Sequence, residues 1–234
     1  MQQWRVSDVM TTPVITSSEH APVRELVAIM STNQVSAVPI VGDNERGVVG
    51  VVSQADLLPK VAAAGVAGAR AAGRRTAAKA GATSARDLMS APTLSISPDA
   101  SLPTAAKKMQ AAKVKRLLVT DGSGQLLGIV SRGDLLRPYT RPDTAIRQDV
   151  IDYVLRRILW IGTGQVRVRV DAGVVTLTGA VGRRTTAAIA TRLAARVPGV
   201  VAVIDQLRDT FDDTALARSR THRTHPFSAE PFQP

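Results

Sequence analysis

The 234-residue chain predicts an α+β protein, with two β-α-β-β-α repeats packed as a pair and a small α-β-β-α-β domain after them. Three observations lead there. A block of sequence recurs 79 residues downstream with its apolar and turn residues in the same order. Aromatic residues make up 3% of the chain and apolar residues 44%, so the cores must be built from Val, Leu, Ile and Ala, which suits small mixed units. Beyond Pro142 the periodicity changes to a long helical stripe and three strand-like runs.

The repeat is carried by three matched pieces. Asp8-Val9-Met10-Thr11-Thr12-Pro13 returns as Asp87-Leu88-Met89-Ser90-Ala91-Pro92, and Val35-Ser36-Ala37-Val38-Pro39 aligns with Val114-Lys115-Arg116-Leu117-Leu118. Gly50-Val51-Val52-Ser53-Gln54-Ala55-Asp56 matches Gly128-Ile129-Val130-Ser131-Arg132-Gly133-Asp134, one residue out of step. The slip falls in the polar turn after Gly42, where a change of length is tolerated. Each copy opens on an extended segment (Val14–Thr16; Thr93–Ile96). An amphipathic helix follows, with Val23, Leu26, Val27 and Met30 on one face in the first copy and Leu102, Ala105, Ala106 and Met109 in the second. Pro22 and Pro103 stand at the helix starts, where proline is tolerated. Two short strands and a second helix, opening after Ser53 or Ser131, complete the unit. One such unit buries little surface alone, so the pair is the expected folding unit.

The boundaries predicted are 1–58 and 86–141 for the repeats, with a linker over 59–85. That linker carries five basic residues and no acidic one. Its alanines favour helix while its glycines weaken one by about 1 kcal/mol each, so it reads as partly helical and mobile.

The Ser-x-x-Asp pairs, Ser53/Asp56 and Ser131/Asp134, admit two readings. Each is a capping box, the hydroxyl accepting from a helix amide and the carboxylate reaching back to the serine N–H. Each also stands at a helix N-terminus, where amides and dipole attract phosphate and a carboxylate one turn on accepts ribose hydroxyls.

The combination of Asp-x-Met-x-x-Pro, the Val-Ser-Ala-Val-Pro strand and Gly-apolar-apolar-Ser-x-x-Asp, present twice, resembles the CBS domain family over residues 5–138, and two copies form a Bateman module. The resemblance implies Ser53 and Ser131 for phosphate and Asp56 and Asp134 for ribose. It also implies adenine against Thr11, Val35 and Ala37 in the first copy and against Ser90, Val114 and Arg116 in the second. The bland alternative for Val35 and Val114 is plain core. Arg132, Lys115 and Arg116 replace Gln54, Ser36 and Ala37, so the second-copy site is expected to bind phosphate more tightly. The ligand implied is AMP, ADP or ATP, with S-adenosylmethionine as the alternative, and a homodimer through the pair is expected.

In the third domain, residues 145–213, Val150, Ile151, Val154, Leu155, Ile158 and Leu159 form a helical stripe. Val166, Val168 and Val170 alternate with Arg167 and Arg169 as a half-buried strand, and Val174–Gly179 returns as its hairpin partner. A helix over 184–197, with Ile189, Leu193 and Val197 on one side, leads to a third strand at Val200–Ile204. This order, with Asp-Ala-Gly-Val-Val-Thr-Leu-Thr-Gly and Val-Pro-Gly-Val, resembles a BON domain, which implies attachment to phospholipid or to a protein partner. Arg167 and Arg169 are read as facing either an anionic surface or solvent. Residues 214–234 are polar and are read as a disordered tail.

Composition narrows the function classes. No Cys is present, which excludes disulfides and thiolate chemistry, and the three His leave only His20 outside the tail, so neither a metal site nor a catalytic centre is predicted. The net charge of +11 is spread along the chain without interleaved aromatics, which disfavours nucleic-acid binding. No apolar export segment opens the sequence, so a cytoplasmic location is expected. The reading is a non-enzymatic adenine-nucleotide sensor whose C-terminal domain attaches elsewhere. The alternative is a ligand-free interaction scaffold.

Overall fold

The computed structural model describes residues 4–43, 47–64, 74–162 and 164–214. They form two compact units, Trp4–Leu135 and the residues from Leu136 onward. The tail from residue 215 and the centre of the linker, 65–73, lie outside the described residues.

In the first unit, β1 (Ser17–Ser18), α1 (Val23–Thr32), β2 (Ala37–Val41), β3 (Val48–Ser53) and α2 (Gln54–Ala64) form the first repeat. The linker contributes α3 (Arg74–Gly81), and α4 (Ala85–Leu88) opens the second copy. The second repeat has β4 (Ser95–Ile96), α5 (Leu102–Ala111), β5 (Arg116–Thr120) and β6 (Leu126–Ser131), closing in a 3-10 helix, Asp134–Thr140. Each repeat holds a three-stranded sheet, β1-β2-β3 and β4-β5-β6, with the first pair parallel and the second antiparallel.

Three local differences from the sequence reading have physical causes. The leading strand of the first copy is Ser17–Ser18, just after the expected Val14–Thr16, because that is the stretch in register with Ile40 and Val41. On α1, Leu26 and Met30 are buried and Ile29 packs beside them, whereas Val27 is 47% exposed, so the buried stripe runs one position off the predicted face. After Ser131 the chain takes 3-10 rather than α turns. Gly133 replaces Ala55 in the opening turn and Pro138 removes an amide, both of which weaken an α-helix.

The two cores exchange segments. Val6 and Val9, from the N-terminal end of the first copy, are fully buried with Leu102, Met109, Leu117 and Val130 of the second. Ala85 and Leu88, which open the second copy, are fully buried with Leu26, Ile40 and Val52 of the first. Backbone pairing follows the same crossing. Thr11 exchanges hydrogen bonds of 2.9 and 3.1 Å with Ile129, and Ser90 exchanges bonds of 2.9 and 3.1 Å with Val51. The repeated Met and Gly are therefore partners across copies. A Cβ on Gly50 would lie 2.3 Å from Met89 Sδ, and one on Gly128 would lie 2.5 Å from Met10 Sδ. Glycine leaves room for a methionine that seats the exchanged segment on the strand.

The second unit runs α6 (Asp143–Asp149) into a helix of wider π turns, Val150–Ile158, then β7 (Val166–Asp171), β8 (Val174–Val181), α7 (Arg184–Ala194) and β9 (Ala202–Asp209). β8 is central, antiparallel to β7 and parallel to β9. Asp143 accepts the Ala172 and Gly173 amides at 2.8 Å each, which pins the hairpin turn to α6. The π turns carry Val150, Val154 and Leu155 inward but leave Ile158 38% exposed, off the predicted stripe. On α7 the buried face is Ala187, Ala190 and Ala194, while Ile189 is 44% exposed. Small side chains let the helix lie close on the sheet, so the alanines rather than the isoleucine mark the inner face. Arg167 and Arg169 are exposed on β7.

Candidate functional site

In both Ser-x-x-Asp pairs the carboxylate reaches back to the serine N–H as the capping reading requires, while the other half of the box, a helix amide donating to the serine hydroxyl, is formed at Ser131. The Ser53 amide and hydroxyl donate to Asp56 Oδ2 at 2.8 and 2.6 Å. The Ser131 amide and hydroxyl donate to Asp134 Oδ2 at 2.8 and 2.7 Å, and the Asp134 amide donates to Ser131 Oγ at 3.3 Å. Strands β3 and β6 end on these serines, so each sheet delivers its pair to the start of the following helical segment.

The surroundings of Asp56 add a second layer. Its other oxygen, Oδ1, accepts from the Lys79 ammonium, which reaches in from α3, and from the Ser90 hydroxyl at 3.3 Å. Lys79 also donates to Ser90 Oγ at 3.3 Å. The Lys79 and Asp56 side chains are each only 12% exposed. Burial pushes the Asp56 carboxyl up, but the Lys79 ammonium and the Ser53 hydroxyl and amide outweigh it and leave the group below its ordinary value.

Ser53, Asp56 and Ser90 line a cleft of about 460 Å³ together with Gln54, Val114 and Arg116, and Lys79 stands behind it on Asp56. Arg116 reaches across to the first repeat, donating to Ser36 O at 2.9 Å and to Ser36 Oγ at 2.7 Å. Burial lowers the pKa of its guanidinium, opposed in part by the Asp56 charge. Lys113 and Lys115 also line the cleft. One wall is the N-terminal turn of α2, and the cations facing it outnumber the single carboxylate. Chemically this is a place for an anion that also carries hydroxyl groups.

The grouping of site residues by copy holds in part. Arg116 is the cross-strand partner of Ser131 and Val114 accepts from the Arg132 guanidinium, beside Ser131 as expected. Both also line the cleft of Ser53 and Asp56, which Ser90, expected beside Ser131 and Asp134, joins from the other copy. Thr11, expected beside Ser53, is bridged to Ile129, two residues before Ser131. The cause of the crossing of Ser90 and Thr11 is the exchange of the segments that precede each leading strand, which bridge to the other copy's sheet. Lys115 and Arg116, the cations behind the expected tighter second site, belong to the second copy and line the cleft of Asp56 as well. Arg132 turns its guanidinium onto Val114 O at 3.1 and 2.9 Å. Val35 packs against the first core and Ala37 is buried at 7% exposure, as core residues would be, whereas Val114 both packs on the second core and lines the cleft. Sequence reasoning missed Lys79, which lies 23 residues beyond Asp56 in the linker where no local pattern marks it.

Two other features were also outside the sequence reading. A larger cleft of about 690 Å³, lined by Thr12, Val14, Val41, Gln125 and others, holds neither Ser-x-x-Asp pair and, among the described residues, no charged side chain. The ligating atoms of Glu19, His20 and Asp43 come within 4.8 Å of one another, with His20 Nε2 2.7 Å from Asp43 Oδ2. His20 and Asp43 are exposed, and their contact is a hydrogen bond at the surface. Among the described residues no helix is long and apolar enough to cross a membrane.

Known proteins place this arrangement. The model of the CBS domain matches residues 6–63 and 85–140, and the model of the BON domain matches residues 142–208. The CBS domain-containing protein YhcV of Bacillus subtilis is 31% identical over 131 residues, covering 56% of this chain and 81% of that protein. The uncharacterized protein MK0525 of Methanopyrus kandleri is 28% identical over 141 residues, covering 59% of this chain and 65% of that one. Among solved structures, CBSX2 in complex with AMP is 26% identical and covers 57% of this chain and 94% of its own, with a TM-score of 0.49. The CBS domain pair of MJ0100, in complex with 5′-methylthioadenosine and S-adenosyl-L-methionine, is 20% identical and covers 58% and 94%, with a TM-score of 0.47. The family models, the relative in Bacillus subtilis and the twofold repeat agree, and this chain belongs to the CBS-domain family, its tandem CBS pair followed by a BON domain.

Proposed function

We propose that the CBS pair is a regulatory, non-catalytic module that binds AMP, ADP or ATP in the Asp56 cleft. The observation that carries this reading is the convergence of a helix N-terminus, a carboxylate and several cations on one cleft of about 460 Å³. Phosphate would lie on the opening turn of α2 beside Ser53, with its charge met by Arg116 and the lysines. Asp56 would take the ribose hydroxyls, and Val114 and Pro92 would offer apolar walls to the base. S-adenosylmethionine is the weaker candidate, because its sulfonium adds a positive charge to a cationic cleft.

Isothermal calorimetry of the full chain with AMP, ADP, ATP and S-adenosylmethionine tests the reading. Ligand at 100 times its Kd stabilises the fold by about 2.7 kcal/mol, a rise in Tm of roughly 5–10 °C. A folded protein that gives no heat with any of these compounds at millimolar concentration leaves the second reading, a ligand-free interaction scaffold. That reading is favoured by the Ser–Asp hydrogen bonds, in which each serine amide and hydroxyl is already held by its aspartate.

The BON domain would attach the sensor to a phospholipid surface or protein partner. Trp160 is 88% exposed and follows the π turns that carry Arg156 and Arg157, a pairing of aromatic and basic groups that suits an anionic lipid surface. Trp160→Ala is expected to reduce co-sedimentation with phosphatidylglycerol vesicles several-fold. Equal recovery of both proteins on such vesicles would remove the lipid reading and leave a protein partner.

A further inference from the structure

Both oxygens of Asp56 are engaged by neighbouring side-chain and backbone groups of the protein. Oδ2 accepts from the Ser53 amide and hydroxyl, and Oδ1 accepts from Lys79 and Ser90. A ribose diol that binds this carboxylate from the cleft has to take over the place of the Lys79 ammonium at Oδ1. Lys79 is 12% exposed and sits on α3. Its removal from Asp56 leaves a largely buried ammonium that needs a new anion nearby, because an unpaired charge at such a depth is strongly disfavoured.

We infer that Lys79 is a specificity-determining residue of the Asp56 cleft, which passes from the carboxylate to the ligand's phosphate and so admits phosphorylated nucleosides while rejecting neutral or cationic adenosyl compounds. This rests on the reading of the cleft as a nucleotide site. AMP brings both halves of the exchange: two hydroxyls for Asp56 and a phosphate for the displaced ammonium. Adenosine brings only the hydroxyls and strands the cation. S-adenosylmethionine offers the ammonium one carboxylate, but its own ammonium and sulfonium bring a net positive charge into the same cleft. Lys113, Lys115 and Arg116 also favour anions in this cleft, but only Lys79 is bonded to the carboxylate that the sugar must claim, so only Lys79 sets a penalty on ligands that lack phosphate.

The test is calorimetric titration of AMP and of adenosine into the unmodified chain, Lys79→Met and Lys79→Arg. Circular dichroism confirms that each protein is folded, and Lys79→Gln serves as a second neutral variant should methionine prevent folding. The unmodified protein is expected to prefer AMP strongly. In Lys79→Met the preference should narrow by about tenfold, equivalent to about 1.4 kcal/mol, chiefly because adenosine binds better. Lys79→Arg, which keeps the charge, should retain the preference. A role of Lys79 in stability alone would weaken both ligands equally. An AMP-to-adenosine ratio unchanged by the neutral variants therefore overturns the inference while the nucleotide reading stands. Absence of AMP binding to every folded variant and to the unmodified chain overturns the nucleotide reading itself, and the inference with it.

Discussion

Leu88→Ala is expected to lower the unfolding free energy by about 2–5 kcal/mol, the range for removing a large side chain from a closed core. Leu88 belongs by sequence to the second copy, but its side chain has no exposure and lies with Leu26, Ile40 and Val52 of the first. The substitution should therefore loosen the wrong copy, as judged from sequence. Urea unfolding gives the size of the loss. Native-state hydrogen exchange gives its location, and the amides of β2 and β3 should lose protection before those of β5 and β6. Loss confined to β4–β6 would mean that the segments are not exchanged. Val9, its counterpart at the start of the chain, is likewise fully buried, in the second core.

The second large effect concerns ligand. Asp56→Asn should abolish most of the AMP-induced rise in Tm, and Asp134→Asn should remove less of it, each measured against that variant's own ligand-free Tm. The order is the reverse of what the sequence suggests. In sequence, Lys115 and Arg116 stand in the same copy as Asp134. In space, Arg116 reaches across to Ser36, and both cations line the cleft of Asp56. Asparagine keeps the volume but accepts only one of the two ribose hydroxyls and no longer anchors Lys79. A greater loss in Asp134→Asn would show that the ligand's main contacts lie on the other helical opening.

Much of the architecture was legible. The recurrence of Asp-x-Met-x-x-Pro and Gly-apolar-apolar-Ser-x-x-Asp marked two copies, and alternation at Val166, Val168 and Val170 marked a strand whose even-numbered valines turn inward. The serine and aspartate of each pair are three residues apart, a spacing that one helical turn closes by itself, so both capping contacts could be read directly. Inner faces were less legible where small residues form them. The alanines of α7 carry little hydropathy signal, and a close helix-to-sheet contact prefers them to Ile189.

By itself the sequence determined the twofold repeat, the third domain and the two helix openings, because each of these is written in contacts within a few residues and in the order of apolar and turn positions. Only the tertiary structure decided which opening faces which residues. The crossing of Ser90 to Val51 and of Thr11 to Ile129, the reach of Arg116 to Ser36 over 80 residues and the approach of Lys79 to Asp56 over 23 depend on which core each segment completes. Burial of Val6, Val9, Ala85 and Leu88 favours the crossed arrangement, and local periodicity carries no record of a partner that distant.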